Sequence, residues 1–503
     1  MKKLNIILLA VLGIFALASC DDFLDMQPTN QAESSEAIKT AADAQIMMNG
    51  IMSKMTSSSL YGRNITLYAD AKGGDLTIYS AGRGNDALYS FNHSPSSGTY
   101  SGFWTVGYNI ILQINNLLEN IAKIESDSNN IENFDNIKGQ AYTLRAMIYF
   151  DLVRLYGRSY TQGTPGTDWG VPKITTVIDA SSQPLRATVK EIYDLILEDL
   201  TAGASVISKS KSSGFINYYG NVALQARVHL TMGNNASALA AAEEIIKSNV
   251  YTLYDNDEWV ASWSKSYSSE SIFELAMLPT ENDLGTSSLG AYYSRQGHYS
   301  KSCLGYFGAS DYFIARLAED PDDVRHGVMS YDEKSESYDK TEFAGQGDRM
   351  GACYKYLGGV SMPGDDPEKG SATSCNVKLI RLSEIYLIAA EAALASDKDK
   401  AAEYLNAIRK RSPNLAPATG STVTLDMILD EKSKEMFGEG QRYWDMLRLG
   451  RTIEYNDEIN GAGIAHREKI IDTKTFYKCI LPIFQDEINA NAAIGEQQNP
   501  GYK

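Results

Sequence analysis

The sequence predicts a mainly α fold: a tetratricopeptide-like helical-repeat scaffold, an α-α superhelix, carrying long irregular and partly β insertions. Three observations predict it. Apolar residues recur at helical spacing over several long segments. Four of those segments pair into two helical hairpins with very short turns and alanines at the crossing positions, a design similar to tetratricopeptide units of about 34 residues. Two stretches, about 57–100 and 251–375, are instead rich in Gly, Ser, Asn and Tyr and carry few helical stripes. The second is too long for a simple loop, so irregular structure must pack on the helices. With 503 residues, 43% of them apolar, the chain can bury a large core.

The scaffold is expected over about 36–56, 101–250 and 376–450, with a C-terminal segment at 451–503. Residues 140–156 (QAYTLRAMIYFDLVRLY) put Ala141, Leu144, Ile148, Leu152 and Leu155 on one face and Tyr149, Phe150 and Val153 on another. A helix apolar on two sides is packed on two sides. Residues 188–207 open on Thr188 with Glu191 three positions later, a capping box, and align Ile192, Leu195, Ile196 and Leu200. Residues 219–232, the turn Gly233-Asn234-Asn235 and residues 236–247 read as one hairpin. Residues 377–395, Ser396-Asp397-Lys398 and 399–411 repeat it. The fragment 271–278 (SIFELAML) reads as a short strand. Trp104 and Tyr108, spaced with Ile111 and Asn115, belong to the core, as do Tyr443 and Trp444. Asn115, Asn116 and Arg145 are expected to satisfy interhelical polar groups.

The chain opens on Lys2-Lys3, an apolar run from Ile6 to Leu17, then Ala18-Ser19-Cys20. That run is shorter than the roughly 20 apolar residues a membrane span needs. A thiol directly behind small residues marks a lipoprotein cleavage site, with residues 1–19 as signal peptide and Cys20 as the lipidated N-terminus. Ordinary secretory cleavage after Ala18 is the rival reading. Acyl chains on Cys20 would anchor the protein without spanning the membrane, each buried CH₂ adding about 0.8 kcal/mol. Residues 20–35 form the tether.

A formal charge of −17 argues against nucleic acid or any polyanion as the main ligand. Catalytic signatures are missing: there is no G-x-S-x-G, H-E-x-x-H, phosphate loop or Rossmann fingerprint. The five histidines lack metal spacing, and 63 acidic residues make any carboxylate pair uninformative. No enzymatic activity and no cofactor are expected. Glu319-Asp320-Pro321-Asp322-Asp323 could offer oxygen ligands to calcium but lacks the spacing of a loop site, and reads as a solvated face. Cys303, Cys353, Cys375 and Cys479 contain no C-x-x-C pair, which leaves a disulfide or buried thiols open.

There are 31 tyrosines against 14 phenylalanines, many within Gly/Ser-rich stretches, and amphipathic rings in loops suit a binding surface. Sugars present C–H faces that stack on aromatic rings and hydroxyls that need amide, guanidinium or carboxylate partners. Two clusters supply that mixture. Tyr79, Arg83, Asn85, Asp86, Tyr89 and Phe91 form the first; Tyr292, Tyr293, Arg295, His298, Tyr299, Tyr306 and Phe307 form the second. Pinning its own loop to the scaffold is the competing role for each ring.

In order, SCDDFLD, WTVGYNIILQINNLLENI, KGQAYTLRAMIYFDLVRLYG, the ALQARVHLTMGNNASALAAAEEII hairpin, LIRLSEIYLIAAEAAL, EGQRYWDMLRLGR and LPIFQDEINANAAIGEQQNPGY resemble the SusD/RagB family of outer-membrane nutrient-binding lipoproteins. The resemblance covers the whole chain and implies one SusD-like domain over 20–503. It implies a lipid-anchored, surface-exposed lid on a SusC-like TonB-dependent transporter barrel, which captures a glycan and delivers it. It also makes Asp21-Asp22 a surface-export signal and puts the 79–91 cluster roughly where the starch-binding relative has part of its site. A RagB-like lid for peptides and a helical-repeat scaffold that binds no nutrient are the alternatives.

Overall fold

The computed structural model describes residues 38–79, 82–97, 100–278, 280–294, 303–329, 351–356, 375–455 and 468–502. Cys20 and the tether, and Arg295, His298 and Tyr299, lie outside the described residues. The N-terminal half runs α1 (Ala41–Met55), α2 (Asn64–Lys72), β1 (Leu76–Ile78), α3 (Asn85–Tyr89), α4 (Ser101–Glu125), α5 (Asp135–Tyr156), β2 (Trp169–Pro172), β3 (Arg186–Thr188), α6 (Val189–Val206), α7 (Tyr218–Thr231) and α8 (Asn235–Ser248). Next come α9 (Asn256–Trp259), β4 (Ser271–Leu275), α10 (Leu289–Tyr293), β5 (Phe307–Ala309) and α11 (Asp311–Leu317). The C-terminal part holds β6 (Val377–Arg381), α12 (Leu382–Ala393), α13 (Lys398–Arg409), α14 (Leu425–Glu435), α15 (Arg442–Arg448), β7 (Thr452–Glu454), β8 (Ile470–Asp472), α16 (Gln485–Ala490) and α17 (Ala492–Gly495).

Successive helices pack as neighbours, and this makes the fold a helical-repeat scaffold. α5 lies between α4 and α6, which is why it is apolar on two sides. The capping box of α6 forms as expected: Glu191 N–H donates to Thr188 Oγ1 at 3.2 Å, and Thr188 N–H donates to Glu191 Oε2 at 2.8 Å. Between α7 and α8 the turn needs a left-handed residue, and Gly233 supplies it with φ +77°. Helices α12 and α13 form the second hairpin, and α12 packs on α8, so the two hairpins stack into one layer. The buried Arg145 meets Asp199 through Nε at 2.8 Å and Nη2 at 2.7 Å, and donates from Nη1 to Asn115 Oδ1 at 2.7 Å. That is the interhelical polar role expected of both. Trp104, Tyr443 and Trp444 are buried.

Three expectations are corrected. Residues 377–381 are strand β6 and not the first turn of a helix; β6 pairs antiparallel with β4, Leu275 opposite Val377 and Ser271 opposite Arg381. The stretch 57–100 contains α2, which sequence periodicity hides because Ile65 to Lys72 are buried on every side. The acidic run is a solvated face only in part: Glu319, Pro321 and Asp322 are exposed, but the other two residues are not. Asp320 accepts from Asn414 N–H and Nδ2 at 2.8 Å each, and Asp323 is ion-paired to Arg325 at 2.6 Å; both aspartates are buried.

A buried charge network joins the C-terminal helices to the irregular region. Arg381 at the end of β6 reaches Glu439 at 2.7 Å and Glu435 and Glu270 at 3.1 Å each; Lys355 reaches Glu439 at 2.7 Å. Both cations also lie against Trp263, 4.8 and 4.5 Å from its ring centre. Charges removed from water this completely persist only when paired.

Candidate functional site

The strand pair β1–β5 brings the two aromatic clusters together. Leu76 lies opposite Ala309 and Ile78 opposite Phe307, and the ladder continues as Tyr79 N–H donates to the Tyr306 carbonyl at 2.8 Å. Tyr306 N–H in turn donates to the Tyr292 carbonyl at 2.9 Å, which ties α10 to the same edge. Segments more than 200 residues apart in sequence thus meet through backbone pairing, and the side chains follow. The rings of Tyr292 and Tyr306 meet edge to face at 4.9 Å. The Arg63 guanidinium lies over Tyr292 at 4.4 Å, and that of Arg83 is 6.0 Å from the Tyr306 ring centre. Tyr100 closes the patch, its hydroxyl donating to the Gly84 carbonyl at 3.3 Å. Arg83 and Asp86 are exposed, whereas Arg63, Tyr100 and Tyr306 are half-buried. Burial pulls the Arg63 guanidinium below its ordinary value, Tyr292 and Tyr100 oppose this, and neighbouring Arg83 adds to it.

The other described cluster residues lie beneath this surface. Phe91 is 0% exposed, packed among Tyr443, Tyr455 and Phe476, with the Lys72 ammonium 3.4 Å from its ring centre. Tyr89 packs on Tyr455, and Tyr293 donates its hydroxyl to Asp70 Oδ2 at 2.8 Å. Tyr79 covers Gly308, where even a methyl group would meet its ring. Asn85, at the start of α3, is buried as well. Expected as ligand contacts, Tyr79, Asn85, Tyr89, Phe91 and Tyr293 offer no open face in this structure. The physical reason is that loops poor in aliphatic residues bury their aromatic rings to hold themselves to the scaffold. Tyr292 is buried too, but beneath the two surface groups Arg63 and Tyr306.

A groove of about 320 Å³ opens beside Phe215, Tyr267, Leu278 and Asn282, with Ser53 and Thr56 on its far wall. Two stretches running side by side link it to the patch. Asn282 Nδ2 donates to Thr56 Oγ1 at 2.9 Å, Leu284 packs on Gly62, and Arg63 Nη1 donates to the Ser287 carbonyl at 3.1 Å.

A profile of the SusD family matches residues 329–502, and a second, described as starch-binding associating with outer membrane, matches residues 22–230. A SusD superfamily protein of known structure from Bacteroides thetaiotaomicron is 33% identical with a TM-score of 0.81, covering 92% of this chain and 100% of its own. The chain belongs to the SusD family. A solved structure from Bacteroides vulgatus, named a candidate sugar-binding protein, is 32% identical with a TM-score of 0.80, covering 93% of this chain and 100% of its own. A SusD-like protein of Formosa agariphila is 24% identical over 502 residues, 92% of this chain and 94% of its own.

In this SusD-family chain the described cysteines, Cys303, Cys353, Cys375 and Cys479, are buried free thiols. Burial pushes Cys353 up to about 12 and Cys479 to about 11, so neither supplies a thiolate near neutral pH. Among the described residues no helix is long and apolar enough to cross a membrane. Sequence reasoning missed two members of the patch, Arg63 and Tyr100. Both lie outside the dense cluster cores, and only the β1–β5 pairing with its flanking contacts places them there. An arginine following Tyr61-Gly62 in a Ser-rich turn was the available signal.

Proposed function

We propose that this SusD-family protein captures glycan at the cell surface, over the patch of Arg63, Arg83, Tyr100, Tyr292 and Tyr306, and passes it to a SusC-like TonB-dependent transporter barrel without chemistry. The observation that carries the reading is that both aromatic-rich clusters meet at one partly exposed rim, where half-buried Tyr306 lies near the exposed Arg83 and the half-buried Arg63 covers Tyr292. Half-buried Tyr306 presents ring surface to sugar C–H faces, while Arg63 and Arg83 present N–H donors to hydroxyls. The starch-binding description of the matched profile and the sugar-binding name of the Bacteroides vulgatus relative support the same ligand class. The matched profile's description as associating with the outer membrane agrees with lipid anchoring at Cys20, for which the leader is the support. Delivery follows if the barrel and the lid make different contacts in open and closed arrangements, since ligand shifts such an equilibrium only by differential affinity.

Glycan and peptide arrays probed with the purified lipoprotein test this. Saturable glycan binding that weakens at least tenfold in Tyr306→Ala is expected. Peptide binding alone, or silence on both arrays with a stable barrel complex, would overturn it. Cys20→Ala should release the protein from the membrane fraction and remove it from surface protease attack.

A further inference from the structure

Arg63 and Arg83 stand out for what they lack. No carboxylate of the described residues lies within ion-pair distance of either guanidinium, although the chain carries 63 acidic residues and pairs its buried arginines 145, 325, 381 and 448. Among the described residues Arg63 donates from Nε to Asn64 Oδ1 at 2.9 Å and from Nη1 to the Ser287 carbonyl. Its Nη2 has no hydrogen-bond partner among the described residues. That donor is not closed off from solvent, so an arriving anion can reach it. The second cation, exposed Arg83, has a left-handed backbone, φ +52°, lies 6.0 Å from the centre of the Tyr306 ring, and adds positive charge near the first. Asp86, on the same loop, forms no ion pair with either.

We infer that Arg63 and Arg83 make the patch select glycans that carry an anionic group, the carboxylate of a uronic acid or a sulfate ester. A guanidinium fork matches the paired oxygens of both groups, and bonds to charged acceptors are about twice as strong as neutral ones. Arg63 is already held by Asn64, the Ser287 carbonyl and the Tyr292 ring, so it loses little side-chain freedom on binding. A body charge of −17 repels dense polyelectrolytes at long range, which favours sparsely charged glycans over highly sulfated ones. This inference rests on the glycan-capture reading above.

Calorimetry with the lipoprotein in detergent micelles tests it with matched probes: uronate oligosaccharides against their methyl esters, sulfated oligosaccharides against their desulfated forms, and Glu-containing against Gln-containing peptides. The acidic member of at least one glycan pair should bind tenfold or more tightly than its neutral partner. Arg83→Gln, an exposed change that leaves folding intact, should bring the pair toward parity; Arg63→Gln should do the same, and Arg63→Lys should restore only part of the preference. Glycans bound without charge preference, or with a preference untouched by Arg83→Gln, would overturn anion selection while leaving capture standing. Silence on every glycan, or binding of acidic peptides alone, would overturn both.

Discussion

Asp70 lies beneath the patch, accepting from the Tyr293 hydroxyl and, at 2.8 Å, from the Gly440 N–H. Burial pushes its carboxyl up to about 8, and those two bonds only partly oppose the rise. In the unfolded chain it titrates near the ordinary value of about 3.9. Between the two values the folded state holds a proton that the unfolded state has lost, so this contribution is complete below about pH 4 and is lost as pH rises toward about 8. Asp70→Asn is permanently neutral and should flatten the dependence of the urea midpoint on pH between 5 and 8; an unchanged slope would show that Asp70 does not titrate there. At this scale the sequence was only half legible. The composition of residues 79–91 and 292–307 marks rings held in loops, but a ring that pins a loop and a ring that meets a ligand look alike until packing is known. Phe91 and Tyr306 are the contrast: one sits among four aromatic or cationic neighbours in the core, the other at the rim.

Helices α5 to α8, α12 and α13 were readable because their signals are local: apolar spacing, a cap at Thr188, and a glycine at 233. Removing the cap tests one of these signals. Thr188→Ala should lower stability by about 1 kcal/mol, measured by chemical denaturation, with the fold retained. Strand β6 was unreadable for the opposite reason. Its residues VKLIR run straight into the apolar stripe of α12, and what makes them a strand is β4, about a hundred positions earlier. The same holds for β1 and β5, whose pairing builds the site. Non-local pairing leaves little trace in a window of sequence, so the scaffold could be drawn from the chain while the geometry of the site could not.

Across the whole molecule, the stacked hairpins form the support, and the Arg381 network ties Trp263, Glu270 and Lys355 of the irregular region to it. Arg381→Ala would strand Glu435 and Glu439 without their main counter-charge and should cost about 3–5 kcal/mol, read as a fall in denaturation midpoint. Packing bears on capture at Arg63, which is already held by Asn64, the Ser287 carbonyl and Tyr292 and so binds with less ordering cost than a free side chain. In the proposed function the leader, the family and the patch belong to one object: a tethered lid whose rim meets sugar. A crystal structure of the protein with the tightest glycan from the array tests this most directly. The expected result is a sugar ring against Tyr306 with its oxygens within hydrogen-bond distance of Arg63 or Arg83. A glycan seated in the groove beside Tyr267, with the patch bare, would contradict it.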